Sequence, residues 1–294
     1  MGLAVPRITA HNVAPSWAVL PAPALWQCVD FISDLHLQAS QSATFCAWQD
    51  YMQRTRADAV FILGDLFELW VGDDVMTDGT DVAVINDAGL VGATDQAAGF
   101  EARCAQVLKA ASQRLAIFFM HGNRDFLLGP AFAKTCGMTL LDDPTILDFN
   151  GQRWLLSHGD ALCLADVDYM QFRALVRGAP WQQNFLAQTL AQRRVLARAL
   201  RTQSEARKCS GLAYADLDAQ ASDDWLRAAQ ANTLIHGHTH QPANHDLANG
   251  LRRIVLSDWD ACATPVRAEV LRLSTELHNQ SRGSTVHRIA ATLA

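Results

Sequence analysis

Short apolar runs, each followed by a polar cluster, punctuate this chain. "VDFIS" leads into Asp34-Leu35-His36, "AVFIL" into Gly64-Asp65, and "LAIFFM" precedes Gly122-Asn123-Arg124-Asp125. "RWLL" precedes His158-Gly159-Asp160, and "NTLI" precedes Gly237-His238-Thr239-His240. Continuous runs of this length predict strands covered on both faces. Residues 41–57 place Phe45, Trp48, Tyr51 and Met52 on one side, which predicts a crossover helix between the first two strands. Further helices are predicted around 99–112 and 130–136, and a surface insertion rich in Gly, Asp, Thr and Ala over 72–98. Residues 145–157 read as two strands about Asn150-Gly151, a hairpin signal. The strand pattern returns after 231 at "NTLI", "RRIVL" and "VRAEVLRL".

Residues 166–231 differ. Trp181, Phe185, Leu186, Leu190, Leu196 and Leu200 form an apolar stripe, and Arg193, Arg194, Arg198, Arg201, Arg207 and Lys208 crowd its second half. A helical insert is predicted, its stripe shared between internal packing and an apolar channel. Arg193, Arg194 and Arg198 are expected on a solvated or lipid-facing surface. The predicted organisation is a poorly ordered extension over 1–28, a core over 29–165 and 232–275, a helical cap over 166–231 and a tail over 276–294.

The chain has 294 residues and is 50% hydrophobic, enough for one large domain or a domain with an insert. A net charge of −6 argues against a general basic face for nucleic acid. The 7 cysteines form no Cys-x-x-Cys pair, so a reducing compartment fits better than a disulfide framework. No apolar stretch reaches the roughly 18 residues of a spanning helix. The first 28 residues lack a signal-peptide pattern, and Met1-Gly2 lacks the myristoylation context.

Asp, His and Asn at the ends of several strands form a ligand set suited to a pair of divalent ions. The set is Asp34, His36, Asp65, Asn123, His158, His238 and His240. Neutral Asn and His ligands leave such ions Lewis acidic. Arg124, beside Asn123, is placed to reach a phosphate. Asp125 is expected to orient a neighbour, and His121 to be structural. His236 is expected near the site without serving as a ligand.

These blocks resemble the D-x-H, G-D, G-N-x-D/E, H and G-H-x-H pattern of the calcineurin-like metallophosphoesterase superfamily. The resemblance implies an α/β (α+β) fold, a β-sandwich flanked by helices, here with an inserted helical cap. It implies hydrolysis of phosphate esters or anhydrides by two metals. It implies Asp65 as the bridge, with Asp34, His36 and His240 at one ion and Asn123, His158 and His238 at the other. "FISDLHL", "GDLFELWVGDD", "HGNRDFLLG", "LSHGDALC", "LIHGHTHQP" and "VLSDWD" resemble, more narrowly, the UDP-2,3-diacylglucosamine diphosphatases of the lipid A pathway, over about 29–275.

That narrower resemblance implies two Mn2+ per subunit and a UDP-linked diacyl glucosamine lipid as substrate. It also implies a peripheral position at the membrane surface, on the cytoplasmic face of the inner membrane. Catalytic roles fall to Arg124, Asp65 and His36, and substrate contacts to Asn123, Arg124, Asp166, Ser204, Lys208 and His238. Lys208 stands where an Asn is usual, and Gln241-Pro242 where Arg-Pro is commoner. Trp70, Asp73 and Asp74 are typical of the resemblance, without a role that follows from their chemistry beyond a turn or charged rim. No protein partner is implied. Other readings are a metallophosphoesterase acting on a soluble nucleotide or phosphodiester, and a scaffold that has lost catalysis.

Overall fold

The computed structural model describes residues 17–77, 99–209, 216–278 and 281–294, leaving out the side chains of 203–209, 277–278 and 281–282. Among them the order begins β1 Ala18–Pro21, β2 Cys28–Ile32, α1 Ser42–Arg54, β3 Ala59–Leu63, α2 Phe100–Ala111, β4 Ala116–Met120, α3 Pro130–Cys136 and β5 Met138–Leu141. It continues β6 Thr145–Phe149, β7 Gln152–Leu156, α4 Val167–Val176, α5 Ala179–Leu186, α6 Leu190–Cys209 and α7 Ala219–Ala229. It closes with β8 Thr233–His236, β9 Ala243–Asp246, β10 Arg252–Val255, β11 Glu269–His278 and β12 Ser281–Ala290.

Two six-stranded sheets face each other, ordered β12-β11-β2-β3-β4-β5 and β1-β6-β7-β8-β10-β9. Neighbours β2, β3 and β4 run parallel, with Ile32 opposite Ile62 and Ile62 opposite Phe119. In the other sheet β7 and β8 run parallel, with Leu156 opposite Ile235. The apolar runs are continuous because alternate residues serve two different cores. Phe31, Phe61, Leu63, Phe118 and Met120 point between the sheets, against Leu147, Phe149, Trp154, Ile235 and Ile254. There Phe61 stacks on Phe31 at 5.1 Å and on Phe118 at 4.7 Å between ring centres. Ile32, Val60, Ile62, Ile117 and Phe119 point outward, under α1, α2 and α3.

Three predicted boundaries change. The extension over 1–28 is ordered in its second part: β1 pairs parallel with β6, and Trp26 packs its ring on Phe61 and Phe118 at 6.5 and 6.0 Å. Residues 1–16 lie outside the description. The tail over 276–294 contains β12, which pairs antiparallel with β11 and brings Ile289 and Ala291 to the outer core. Helix α7 falls within the predicted cap, yet its Ala221, Trp225 and Leu226 pack on Ile146, Leu155 and Leu234, covering the second sheet. The cap therefore consists of α4 to α6. Of the predicted insertion, 78–98 lies outside the described residues.

Arg193 also departs from expectation. It is buried rather than solvated, bonded to Val71 O and to the Asp74 carboxylate, with Nε donating to Gln188 O at 3.1 Å. This ties α6 to the segment after β3. Asp73, beside it, accepts from Gly129 N at 2.8 Å, Phe132 N at 2.9 Å and Trp70 Nε1 at 3.2 Å, and so holds the start of α3. The acidic pair is thus an anchor for two helices, not a rim. Among the described residues no helix is long and apolar enough to cross a membrane.

Candidate metal centre

The polar clusters meet at the carboxyl ends of β2, β3, β4, β7 and β8, one edge of the sandwich. Backbone bonds join the loops: Asp34 N to Gly64 O at 3.1 Å, His36 N to Asp65 O at 3.0 Å, and Gly237 N to His158 O at 3.0 Å. Five of the seven predicted ligands, Asp34, His36, Asp65, His238 and His240, sit at positive φ between 48° and 70°. Such backbone costs of order 1–3 kcal/mol at each residue and persists where surrounding structure enforces it, typically at functional sites. A Cβ at Gly122 would collide with Asp65 Oδ1, and one at Gly237 with Asp34 Oδ2, so glycine backbone presses directly on both carboxylates.

The structure gathers the predicted residues into two halves. In one, Asp34 Oδ1 lies 3.3 Å from His240 Nε2 and 4.0 Å from His36 Nε2, and the two imidazoles approach to 3.2 Å. In the other, Asn123 Oδ1 lies 3.0 Å from both His158 Nε2 and His238 Nδ1. Asp65 spans them, Oδ2 being 4.0 Å from His36 Nε2 and Oδ1 3.9 Å from His158 Nε2. Ligand atoms of Asp34, His36 and His240 lie within 4.8 Å of one another, as do those of Asp34, Asp65 and His158.

The donor set fits divalent cations. Asp34 is fully buried, yet its Oδ1 has no hydrogen-bond partner. A cation satisfies such an oxygen where a protein donor does not. Burial raises the Asp34 carboxyl, but the neighbouring His240, His158 and His36 imidazoles outweigh it and hold it well below the usual carboxylate range. Burial lowers His158, but the carboxylates of Asp65, Asp34 and Asp160 overcome this and take it up to about 9, so a cation bound there displaces a proton and answers the same negative charge. Burial, followed by the His158 charge, takes His238 down to about 4, leaving a neutral imidazole suited to ligation.

A family model, Calcineurin-like phosphoesterase, matches residues 29–242. The chain belongs to that family. It is 43% identical over 240 residues to UDP-2,3-diacylglucosamine hydrolase of Chromobacterium violaceum, covering 79% of this chain and 90% of the relative. The relative of that name in Cellvibrio japonicus is 41% identical over 235 residues, covering 78% and 90%. That of Shewanella pealeana is 39% identical over 233 residues, covering 78% and 89%. Membership implies a divalent-metal site, for which this Asp and His cluster is the candidate, and the chain is a metal-dependent hydrolase.

Around the phosphoesterase centre, several groups escape sequence reasoning. Glu68 Oε2 lies 3.0 Å from His36 Nδ1, and Arg201 of α6 meets the same carboxylate. Asp258 lies 3.9 Å from His240 Nδ1 and is held by Arg267. Carboxylates behind ligating histidines fix ring orientation. The "ELW" and "SDWD" contexts contain these acids, but nothing local in sequence aims them at a histidine. Asp125 accepts from the backbone N–H of Gly122, Asp65 and Phe67, locking the β3 and β4 loops together. His121 bonds Leu128 O at 2.7 Å and His236 bonds Gly237 O at 2.8 Å, both structural contacts. Arg124 donates its backbone N–H to Asp65 Oδ1 at 2.8 Å, and its buried Nε has no partner. Asp166 caps α4 by accepting from Tyr169 N at 3.0 Å. The side chains of Ser204 and Lys208 lie outside the described residues.

Proposed function

We propose that this chain hydrolyses the diphosphate of UDP-2,3-diacylglucosamine at the α-phosphorus, giving UMP and 2,3-diacylglucosamine 1-phosphate in the lipid A pathway. The observation that carries the reading is the span of the likeness. The 240 matched residues exceed what the predicted core supplies without the cap, so cap and centre are shared with relatives bearing that hydrolase name.

Two Mn2+ are assigned, one to Asp34, His36 and His240, the other to Asn123, His158 and His238, with Asp65 reaching both. When bound, such a pair neutralises phosphate charge and renders water acidic. Arg124, its Nε unpaired, offers a guanidinium to a phosphate oxygen as charge builds there. The sugar phosphate leaves readily and needs no strong acid, so the catalytic part of His36 is that of a metal ligand, its ring held by Glu68. Asn123 and His238 border the reacting phosphate, and Asp166, Ser204 and Lys208 are assigned to the glucosamine headgroup. On the cap Val167, Leu175 and Val195 are 59%, 60% and 68% exposed. These exposed apolar side chains support a role for the cap in receiving acyl chains and resting on the cytoplasmic face of the inner membrane.

Phosphorus NMR of products formed with Mn2+ in oxygen-18 water tests the reading. UMP carrying the label is expected. Label on the sugar phosphate, or turnover confined to a soluble phosphodiester, would overturn it.

A further inference from the structure

We propose that helix α4 of the cap is a positioning element for one half of the centre, that of Asn123, His158 and His238. The proposal rests on the two-metal reading above. Tyr169, Arg173 and Arg177 stand one helical turn apart and project along one face. Between them they meet all three ligand-bearing loops of that half.

Asp160, fully buried, follows His158 by two residues. Tyr169 Oη donates to its Oδ2 at 2.6 Å, Arg173 Nε donates to the same oxygen at 2.8 Å, and Arg173 Nη2 reaches Oδ1 at 3.4 Å. Arg177 Nη2 donates to the carbonyl of Gly122, the residue before Asn123, at 2.9 Å, and its guanidinium lies 5.4 Å over the Phe126 ring. The Tyr169 ring stacks on the His238 imidazole, with centres 6.0 Å apart and planes at 29°. One helix therefore braces the loops of all three ligands on that side.

The other half is braced mainly by the core. Ser33 Oγ donates to Asp34 Oδ2 at 2.6 Å, and Trp259 N donates to Asp34 O at 3.0 Å. Glu68 and Asp258 stand behind His36 and His240. The cap approaches there through Arg201 of α6 at Glu68, not through α4. Groups that brace ligands set metal affinity through orientation, with losses of roughly 10- to 100-fold when removed. Substitutions in α4 should thus weaken one ion and spare the other.

The full chain, stripped of metal, is titrated with Mn2+ by calorimetry, and paired Mn2+ is followed by electron paramagnetic resonance. Asn123→Ala identifies the binding step of the α4-braced half. In Arg173→Met that same step is expected to weaken roughly 10- to 100-fold while the other step holds. The paired-ion signal should fade at Mn2+ levels that saturate the wild type. Tyr169→Phe, which keeps the ring on His238 and removes only the hydroxyl, should shift the same step by less. Arg173→Lys, which keeps the charge, should recover part of the loss. Equal weakening of both steps, or no weakening in Arg173→Met, would overturn the proposal. A wild-type chain that binds fewer than two Mn2+ would overturn the two-metal reading itself, and this proposal with it.

Discussion

In the core, each ligand loop is pinned by a neighbour's backbone, as His36 N donates to Asp65 O and Gly237 N to His158 O. In the cap, helices reach the core through side chains: Arg173 to Asp160, Arg177 to Gly122 O, Arg193 to Asp74 and Val71 O. Backbone pinning tolerates change at many residues that are not ligands, with Gly122, Gly237 and Asp125 as exceptions. Side-chain tethering concentrates the orientation of a whole helix in one guanidinium. Loss of function should therefore be chemical in the core and one of placement in the cap.

The largest effect belongs to the core. Asp65→Asn weakens the carboxylate that reaches both halves, and kcat should fall by more than about a thousandfold, beyond the loss of a single stabilising donor. Arg124→Ala removes such a donor, and kcat is expected to drop by about 100- to 1,000-fold with metal content unchanged. Steady-state kinetics with metal analysis checks both. An Arg124→Ala enzyme that lost its metal would move that residue from chemistry to structure.

Arg193→Met probes the cap. Val71 O loses its buried donor and Asp74 its partner, a cost of about 1–3 kcal/mol. Expected are a lower Tm and a raised KM, with kcat on a small soluble phosphodiester retained. A fall in kcat on the small substrate would erase the division between core and cap.

The smallest effect lies where the chain returns from the cap. The Arg253 fork holds Asp216 through two bonds of 2.8 Å. Burial raises the Asp216 carboxyl, but the Arg253 bonds and charge outweigh this and leave it below its usual 3.8. A carboxyl lowered on folding adds stability above that value, and the gain is lost as pH falls below it. Asp216→Asn should cost about 0.2–1 kcal/mol at neutral pH, and the difference in Tm from wild type should vanish in acid.

The core was largely legible from sequence because its determinants are local. A run such as "AVFIL" closed by Gly64-Asp65 names a buried strand and its ligand within a few residues. The pairing of ligands followed resemblance, since no spacing places Asp34 beside His240, 206 positions along the chain. The left-handed backbone at Asp34, His36, Asp65, His238 and His240 left no trace in residue type, because none of them is glycine. Edge strands β1 and β12 were missed because they are short or polar and lean on a partner supplied by distant segments. Arg193 looked like part of a solvated basic face. Its partner Val71 O lies 122 residues away, and only folding reveals that the guanidinium is enclosed. Long-range ion pairs of this kind define the cap, so its helices could be predicted and its attachment could not.

We propose that the core performs phosphoester chemistry while the cap selects an acylated substrate. The most direct test compares kcat/KM of the Mn2+-loaded wild-type chain for UDP-2,3-diacylglucosamine in mixed micelles with that for a soluble phosphodiester. The account predicts a strong preference for the acylated nucleotide, reduced in Arg193→Met through KM. Equal use of the two substrates, or preference for the soluble one, would contradict it.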